Sequence, residues 1–260
     1  EFSPKFSTGH ANPLLDFQYM ADPTAVVHDG RIYVYGTNDH QQYDVVGRNG
    51  KSTYQHIHSL TMVSSDDMVN WTYHGVINVK ALAPWGMASC APSIATRKEA
   101  DGNLFYSISG FGVGMLTATS PVGPWTDPLV KCVVDGNTPG LGKCKAPFDP
   151  GVVIDDKGIG WLSFGGGDSD DYIPGDARIV RLANDMKTLD SEIVEIKAPY
   201  HFEANELNYL NGTWIYTYNT NWKNRDAWPH KDIDKPSRCC MSYMTSRTPL
   251  ETDSWPYRDS

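Results

Sequence analysis

The stretch Asp22-Pro23-Thr24-Ala25-Val26-Val27 begins with an acidic residue and a proline and then runs into a β-prone segment. Similar phrases occur three more times along the 260 residues, at Ala91-Pro92-Ser93-Ile94-Ala95, Asp149-Pro150-Gly151-Val152-Val153 and Glu203-Ala204-Asn205-Glu206-Leu207. Four self-similar copies in order are typical of a repeat architecture. The pattern predicts an all-β protein in which each copy opens one blade of a β-propeller.

Each phrase is followed by a turn signal and then by a strand rich in aromatic residues. The turns are Asp29-Gly30, Asp101-Gly102, Lys157-Gly158 and Asn211-Gly212, and the aromatic strands are residues 33–36, 105–107, 161–165 and 214–218. A second recurring element, clearest where it closes on Asn70-Trp71 and Pro124-Trp125, gives each copy three or four strands. Hairpins of this kind also occur in β-sandwiches, which are the alternative fold.

Composition sets limits on the fold and on the partners. A hydrophobic share of 40% is enough for a core, and 23 glycines and 17 prolines favour many short strands. The net charge of -9 argues against nucleic acid or an anionic membrane as the main partner. No run of about 18 apolar residues is present, so we expect no transmembrane helix.

Three of the four phrases open with a carboxylate, at Asp22, Asp149 and Glu203. An Asp-Pro pair at a strand start has a plain structural role, because aspartate bonds nearby amides and proline fixes its own backbone. Acidic residues are nevertheless depleted in strands, and three at one place in a repeat need a further cause. Equivalent positions in blades around one axis would bring the three carboxylates together as a site.

Convergent carboxylates suit the hydrolysis of a glycosidic bond. A protonated carboxyl group protonates the leaving oxygen, and in an inverting enzyme an ionised one activates water on the opposite face of the sugar. A third carboxylate near the acid favours its protonated form by like-charge repulsion. Three acids could therefore have three distinct roles.

The phrases also resemble a known family. Five motifs in order closely resemble those of glycoside hydrolase family 43, and they extend over nearly the whole chain. They are Asn12-Pro13-Leu14-Leu15, Ala21-Asp22-Pro23, Ala91-Pro92-Ser93-Ile94, Phe148-Asp149-Pro150 and Phe202-Glu203-Ala204. The resemblance implies a five-bladed β-propeller and an inverting enzyme that acts on polysaccharides containing arabinose and xylose.

The same resemblance assigns the three acids. It implies that Asp22 is the general base, Asp149 the pKa modulator and Glu203 the general acid. Glu206 competes for the acid role, although three residues further along an extended strand it would point to the opposite face.

Aromatic and polar residues suggest the sugar-binding surface. Members of the family usually carry an aromatic residue before Ala-Pro-Ser, whereas this chain has Cys90, and Trp85 could supply that surface. We expect Trp85 and Asn38 to contact substrate. Trp222 and Trp228 are further candidates for stacking on sugar rings, and packing in the core is the alternative for each tryptophan. For Trp161 and Trp214 we expect core packing.

The repeats also bear on domain organisation. Only four copies are recognisable, so we expect residues 1–260 to be one catalytic β-propeller domain that lacks its last blade. Closure with four blades is the alternative. The histidine near a central ion and the pocket arginine that the family often supplies from that blade cannot be assigned.

We expect no required cofactor and assign no metal ligands. The glycine run 165–167, followed by Asp168, Asp170 and Asp171, lacks the spacing of known calcium loops and is interpreted as a flexible rim. A structural calcium ion is the alternative, but its ligands cannot be assigned. His56-Ile57-His58 would share one face on a strand, although a solvated loop is favoured. Cys132 and Cys144 flank a turn-rich loop and are candidates for a local disulfide.

We therefore expect a secreted, extracellular, inverting glycoside hydrolase that acts on hemicellulose, most simply an α-L-arabinofuranosidase that releases arabinose from arabinoxylan. The insertion at residues 39–60 would shape a cleft wall suited to a branched polymer. β-Xylosidase and endo-arabinanase activities are alternatives within the family. A non-catalytic carbohydrate-binding propeller and an adhesion or scaffold propeller are alternatives from other classes.

Overall fold

The computed structural model describes residues 13–51, 53–86, 88–98, 104–108 and 112–260, with the backbone alone for residue 42 and for 104–108. The motif residue Asn12 and the predicted turn Asp101-Gly102 lie outside these ranges. The described residues are mostly β, which confirms the predicted class. Their strands form four antiparallel sheets, each of four strands.

The chain divides into two compact units. Unit 1 comprises the described residues of Glu1–Gly110 and Gly114–Lys131, and unit 2 those of Phe111–Val113 and Cys132–Ser260.

Unit 1 begins with a sheet in the order β1-β2-β3-β4. Its strands are β1 (Ala21–His28), β2 (Arg31–Thr37), β3 (Ser59–Ser65) and β4 (Thr72–Asn78). The turn between β1 and β2 has Asp29 at φ 49° and Gly30 at φ 77°. Two successive left-handed residues are typical of the tight hairpin that Asp-Gly favours, so this predicted turn is confirmed.

The predicted insertion after β2 contains a short helix, α1 (His40–Val46). The amide of His58 donates to Gln41 Oε1 at 3.0 Å and so joins the helix to the segment that returns to β3. A second short helix, α2 (Val79–Leu82), follows β4, and the Asn78 side chain caps it by accepting from the Ala81 amide.

The rest of unit 1 contains β5 (Ser93–Thr96), β6 (Leu104–Ile108) and most of β7 (Gly112–Ala118). The core of the unit packs Tyr35 and Leu60 of the first sheet against Ile94 and Leu116 of the second. The Tyr35 hydroxyl donates to the Pro121 carbonyl at 2.6 Å, which satisfies the one polar atom of this buried ring.

Unit 2 contains the first two residues of β7, which pair with β8, and two complete sheets. The strands are β8 (Val134–Asp135), β9 (Gly151–Ile154), β10 (Gly160–Phe164), β11 (Arg178–Arg181), β12 (Val194–Glu195), β13 (His201–Leu210), β14 (Thr213–Thr220), β15 (Met241–Ser246) and β16 (Tyr257–Asp259). A 3₁₀ helix, Thr252–Ser254, precedes β16. Burial alternates strictly along β14, so that Trp214, Tyr216, Tyr218 and Thr220 face the core.

The core of unit 2 contains the two tryptophans predicted to pack there. Trp161 and Trp214 are buried, and their rings meet edge to face with centroids 5.1 Å apart. Cys144 is a buried thiol, and burial raises its pKa to about 11. The disulfide considered between Cys132 and Cys144 is not formed in this structure.

Among the described residues, no helix has the length and apolar character needed to cross a membrane.

Candidate active site

Asp22 lies in unit 1 at an irregularity in the first strand. In the pairing of β1 with β2, Ala21 lies opposite Thr37 and Thr24 opposite Tyr35, so three steps along β1 match two along β2. This bulge is possible because Asp22 adopts a left-handed backbone, with φ 49°. Aspartate tolerates that conformation better than most residues, which explains the residue type at the bulge.

The Asp22 side chain takes part in a short hydrogen-bond relay within unit 1. The Thr37 hydroxyl donates to Asp22 Oδ2 at 2.9 Å and accepts from the amide of Ala91 at 2.8 Å. Burial raises the pKa of Asp39, and the negative charge of Asp22 adds to this effect. A second carboxyl group therefore lies within electrostatic reach of Asp22, and the sequence pattern had not indicated it.

Asp149 and Glu203 are brought together in unit 2. Asp149 is half-buried, and its Oδ2 accepts a hydrogen bond of 2.8 Å from the amide of Ala204, the residue after Glu203. Asp149 also has a left-handed backbone, with φ 49°. The carboxylate of the predicted modulator is thus fixed against the backbone that carries the predicted acid.

The fourth phrase has the same bulge as the first, but its acid is one position earlier. Glu203 lies opposite Asn219 and Glu206 opposite Thr217, and the left-handed residue is Ala204, with φ 59°. Ala204 therefore corresponds to Asp22, and Glu203 corresponds to Ala21. The prediction that Glu203 occupies the position equivalent to Asp22 and Asp149 is wrong by one residue, because a left-handed alanine gives no clear signal in sequence.

The bulge also corrects the expected direction of Glu206. Partners directly opposite each other share a face, and Thr217 and Asn219, two residues apart, share a face of β14. Glu203 and Glu206 therefore lie on the same face of the sheet, and the expectation of opposite faces is wrong. The extra residue in the bulge reverses the alternation that an extended strand would have.

The glycine run 165–167 connects the segments before the two acids of unit 2. The Gly165 amide donates to the Phe148 carbonyl and the Gly167 amide to the Phe202 carbonyl, both at 2.9 Å. A Cβ added at Gly165 would lie 2.1 Å from the Asp176 carbonyl oxygen, and one at Gly166 would lie 2.5 Å from that of Phe202. The run is a close-packed junction and not the predicted flexible rim.

The acidic residues after this run contact a lysine. Lys223 Nζ lies 3.1 Å from Asp168 Oδ1 and 3.0 Å from Asp170 Oδ1. In the described parts of the chain, no group of three or more histidine, cysteine, aspartate or glutamate side chains has the arrangement of a metal site. His56 and His58 precede β3, and their rings contact each other with centroids 6.3 Å apart.

Asn38 and Trp85, the predicted substrate contacts, are both held in unit 1. Asn38 is only 5% exposed, and its amide accepts from Gln18 Nε2 at 2.6 Å and donates to Ser59 Oγ at 2.9 Å. Trp85 packs against the core, and its Nε1 donates to Asp127 at 2.5 Å. Both side chains have structural partners, and substrate contact stays a prediction.

The two loop tryptophans of unit 2 differ in exposure. Trp222 is 46% exposed and meets Phe202, the residue before Glu203, edge to face with centroids 5.0 Å apart. Trp228 is half-buried in an aromatic cluster with Tyr172, Tyr200 and Tyr257. Trp222 is therefore the better placed of the two for contact with a ligand.

Comparison of the sequence with known protein families gives a match that covers all four copies of the repeated motif. The family model "Glycosyl hydrolases family 43" matches residues 10–249. The chain belongs to glycosyl hydrolase family 43. This confirms the resemblance noted from the motifs.

Individual relatives give a finer comparison. The chain is 37% identical to an arabinoxylan arabinofuranohydrolase of Bacillus subtilis, over 93% of this chain and 50% of the relative. A crystal structure of a family 43 arabinoxylan arabinofuranohydrolase from Bacillus subtilis in complex with cellotetraose superposes with a TM-score of 0.84 at 36% identity, over 97% of this chain and 54% of that one. The structure of an α-L-arabinofuranosidase from Clostridium thermocellum gives a TM-score of 0.71 at 32% identity, over 95% and 74%. The chain thus spans about half the length of the Bacillus subtilis relative.

Proposed function

We propose that the protein is an inverting glycoside hydrolase that acts on hemicellulose and releases arabinose from arabinoxylan. The observation that carries the proposal is the hydrogen bond from the Ala204 amide to Asp149, which fixes one carboxylate of the family motif against the backbone directly after Glu203, the next acid of that motif. The names of the relatives, arabinoxylan arabinofuranohydrolase and α-L-arabinofuranosidase, support the choice of substrate.

Each of the three acids has a separate role in this mechanism. Glu203 protonates the leaving oxygen, and Asp22 activates the water that attacks from the opposite face. Asp149 places a negative charge beside the segment that carries the acid, and a like charge favours the protonated form that an acid needs. Inversion requires the carboxyl groups of Asp22 and Glu203 to lie about 6.5–9.5 Å apart.

The proposed architecture is a five-bladed β-propeller in which the four sheets are blades and residues 1–260 form the catalytic domain. The four-stranded meander order of each sheet supports this proposal. The first strands of two of these sheets, β1 and β13, share a bulge near the strand start, as equivalent strands of a repeat would.

The remaining proposals concern the surroundings of the acids. Trp222 is a stacking surface for a sugar ring, which its exposure beside Phe202 supports. Trp85 and Asn38 contact the substrate from unit 1. The enzyme is secreted and extracellular and requires no cofactor for the reaction.

The first test replaces Glu203 by Gln and compares hydrolysis of an aryl arabinofuranoside that has a good leaving group with hydrolysis of arabinoxylan. Loss of the acid should slow arabinoxylan hydrolysis by about 10²–10⁴-fold and affect the activated substrate much less. Glu206→Gln is the matched control because Glu206 lies on the same face of the same strand. If Glu203→Gln hydrolyses arabinoxylan at the wild-type rate, Glu203 is not the acid, and loss of that rate in Glu206→Gln alone would assign the role to Glu206.

The second test identifies substrate and stereochemistry. Proton NMR of the first product formed from arabinoxylan should show arabinose of inverted anomeric configuration. Linear arabinan and xylo-oligosaccharides are the comparison substrates. Release of xylose alone would support β-xylosidase activity, cleavage within linear arabinan would support endo-arabinanase activity, and binding without any product would support a non-catalytic propeller.

A further inference from the structure

A fully buried polar network lies on the core side of β13, behind the segment that carries Glu203. Its members are His201 and Tyr216, both 0% exposed, together with Asn205 at 5% and Asp176 at 7%. Four polar side chains are costly to bury unless all of them are hydrogen-bonded. Here each of them has at least one partner.

His201 lies at the centre of the network. Its Nδ1 is 2.8 Å from Asp176 Oδ1, and its Nε2 is 3.0 Å from the Tyr216 hydroxyl and 3.2 Å from Asn205 Oδ1. Asn205 Nδ2 donates to the Gly165 carbonyl at 2.6 Å. This last bond fixes the orientation of the Asn205 amide, so that its oxygen faces His201 and Tyr216.

Hydrogen counting determines the direction of these bonds. The Tyr216 hydroxyl donates its only hydrogen to Asn205 Oδ1. Tyr216 must then accept from His201, so Nε2 of the ring carries a hydrogen. Burial raises the pKa of Tyr216 well above its usual value, and the charge of Asp176 adds to this, so the hydroxyl stays protonated and able to donate.

The network holds the chain on both sides of the predicted acid. His201 is two residues before Glu203 and Asn205 two residues after it, and the left-handed Ala204 lies between them. The pairing of β13 with β14 is irregular in the same interval, both between His201 and Glu203 and between Glu203 and Glu206. In an interval where the sheet ladder is interrupted, the side-chain network supplies the anchoring that regular pairing supplies elsewhere.

We propose that His201, Asn205, Tyr216 and Asp176 are positioning residues that set the direction of the Glu203 carboxyl group. The inference rests on the proposed function, in which Glu203 is the general acid. It assigns the four residues no contact with substrate. They act through the backbone of residues 201–205, and their loss should impair protonation of the leaving group more than binding.

The test compares Tyr216→Phe with Tyr218→Phe. Both tyrosines are 0% exposed, lie on the same face of β14 and use the hydroxyl in a hydrogen bond, but Tyr218 donates to the Pro199 carbonyl at 3.0 Å. Each variant removes one buried hydroxyl and keeps the ring. Only Tyr216→Phe takes a member out of the network.

The readout is the ratio of kcat on arabinoxylan, whose leaving group needs protonation, to kcat on an aryl arabinofuranoside whose leaving group does not. General acid catalysis contributes about 10²–10⁴-fold, so partial misplacement of the acid should lower this ratio about tenfold in Tyr216→Phe, with KM nearly unchanged. Tyr218→Phe should keep the wild-type ratio. A simple loss of folded protein lowers both rates equally and leaves the ratio unchanged.

A second pair of variants tests the network through a different member, Asp176, with the same kcat ratio as the readout. Asp176→Asn removes the charge behind His201, and Asp155→Asn removes a buried charge at the far end of β9, where Asp155 accepts from Trp161 Nε1 at 3.0 Å. We expect a lower ratio for Asp176→Asn alone. Equal ratios within both pairs would overturn the positioning role, provided that Glu203→Gln itself lowers the ratio. An unchanged ratio in Glu203→Gln would instead refute the proposed function.

Discussion

Replacing Gly151 by Ala should separate the two strands that hold the acids of unit 2. Gly151 begins β9, two residues after Asp149. A Cβ at this position would lie 2.7 Å from the Leu207 amide nitrogen and 2.8 Å from Glu206 Cα, both of them backbone atoms of β13, and 2.6 Å from Ser163 Oγ. The serine hydroxyl can rotate away, but the backbone of β13 can only move as a strand.

The size of the movement follows from these contacts. An ordinary contact begins at 3.4 Å, so β13 must retreat by roughly 0.6–0.7 Å. A retreat of that size would stretch the 2.8 Å bond from the Ala204 amide to Asp149 to about 3.5 Å, outside the normal range for hydrogen bonds. Overpacking of this kind costs about 1–3 kcal/mol. A misplacement approaching 1 Å costs up to about 10²-fold in rate, so we expect kcat to fall by about one to two orders of magnitude.

The assay measures kcat on arabinoxylan and the midpoint of thermal unfolding for Gly151→Ala and for the control Gly136→Ala. A Cβ at Gly136 would meet only the Lys145 carbonyl oxygen at 3.8 Å, and we expect this variant to match the wild type in both measurements. If Gly151→Ala keeps wild-type activity and stability, contact between β9 and β13 does not set the geometry of the acids.

Three further predictions concern stability and reactivity. Ala91 has φ 47°, a left-handed conformation that costs alanine about 1–2 kcal/mol, whereas glycine at this position would lose about 0.4–1 kcal/mol more chain entropy on folding. Because the first effect is the larger, Ala91→Gly should raise Tm, measured by calorimetry, by about 1–4 °C. The control Ala95→Gly, in the regular strand β5, should lower Tm. Burial raises the pKa of Cys144 to about 11, so iodoacetamide at pH 8 should label the exposed Cys239 and spare Cys144 in the native protein. Mass spectrometry measures the labelling of each cysteine. Equal labelling of the two would contradict the burial of Cys144. Hydrogen bonds from two backbone amides and one side-chain amide hold the pKa of Asp67 well below its usual range, so its contribution to stability is fully present above the unfolded pKa of about 3.9 and is lost only as pH falls through the lower folded pKa. Asp67→Asn should therefore lower Tm at pH 7 by more than at pH 2, and an equal difference at both pH values would refute the role of the charge.

The parts of the fold that local chemistry determines were predictable from the sequence. Asp29-Gly30 and Asn211-Gly212 both form turns with two successive left-handed residues. The aromatic alternation of residues 214–218 gives a strand whose tryptophan and tyrosines face the core. In these segments the residue types that form the structure are adjacent in sequence, so the pattern carries the information.

The parts that depend on distant partners were not predictable. The sequence placed His201 in no motif, because its partner Asp176 is 25 residues away, in the segment before β11. The acidic residues after the glycine run were interpreted with it as a flexible rim, and only the fold brings Lys223 to them. The one-residue error at Glu203 has a related cause, because tertiary contacts hold Ala204 in a conformation that alanine does not favour by itself.

The glycine run 165–167 has a consequence for protein engineering. Loops near a substrate site are the usual targets of mutagenesis libraries, because they normally tolerate substitution and carry specificity. This segment connects the backbones before Asp149 and Glu203, and its first two positions have no room for even a methyl group. We expect a saturation library over these positions to return mostly inactive clones. Changes of specificity should instead be sought at exposed residues such as Trp222.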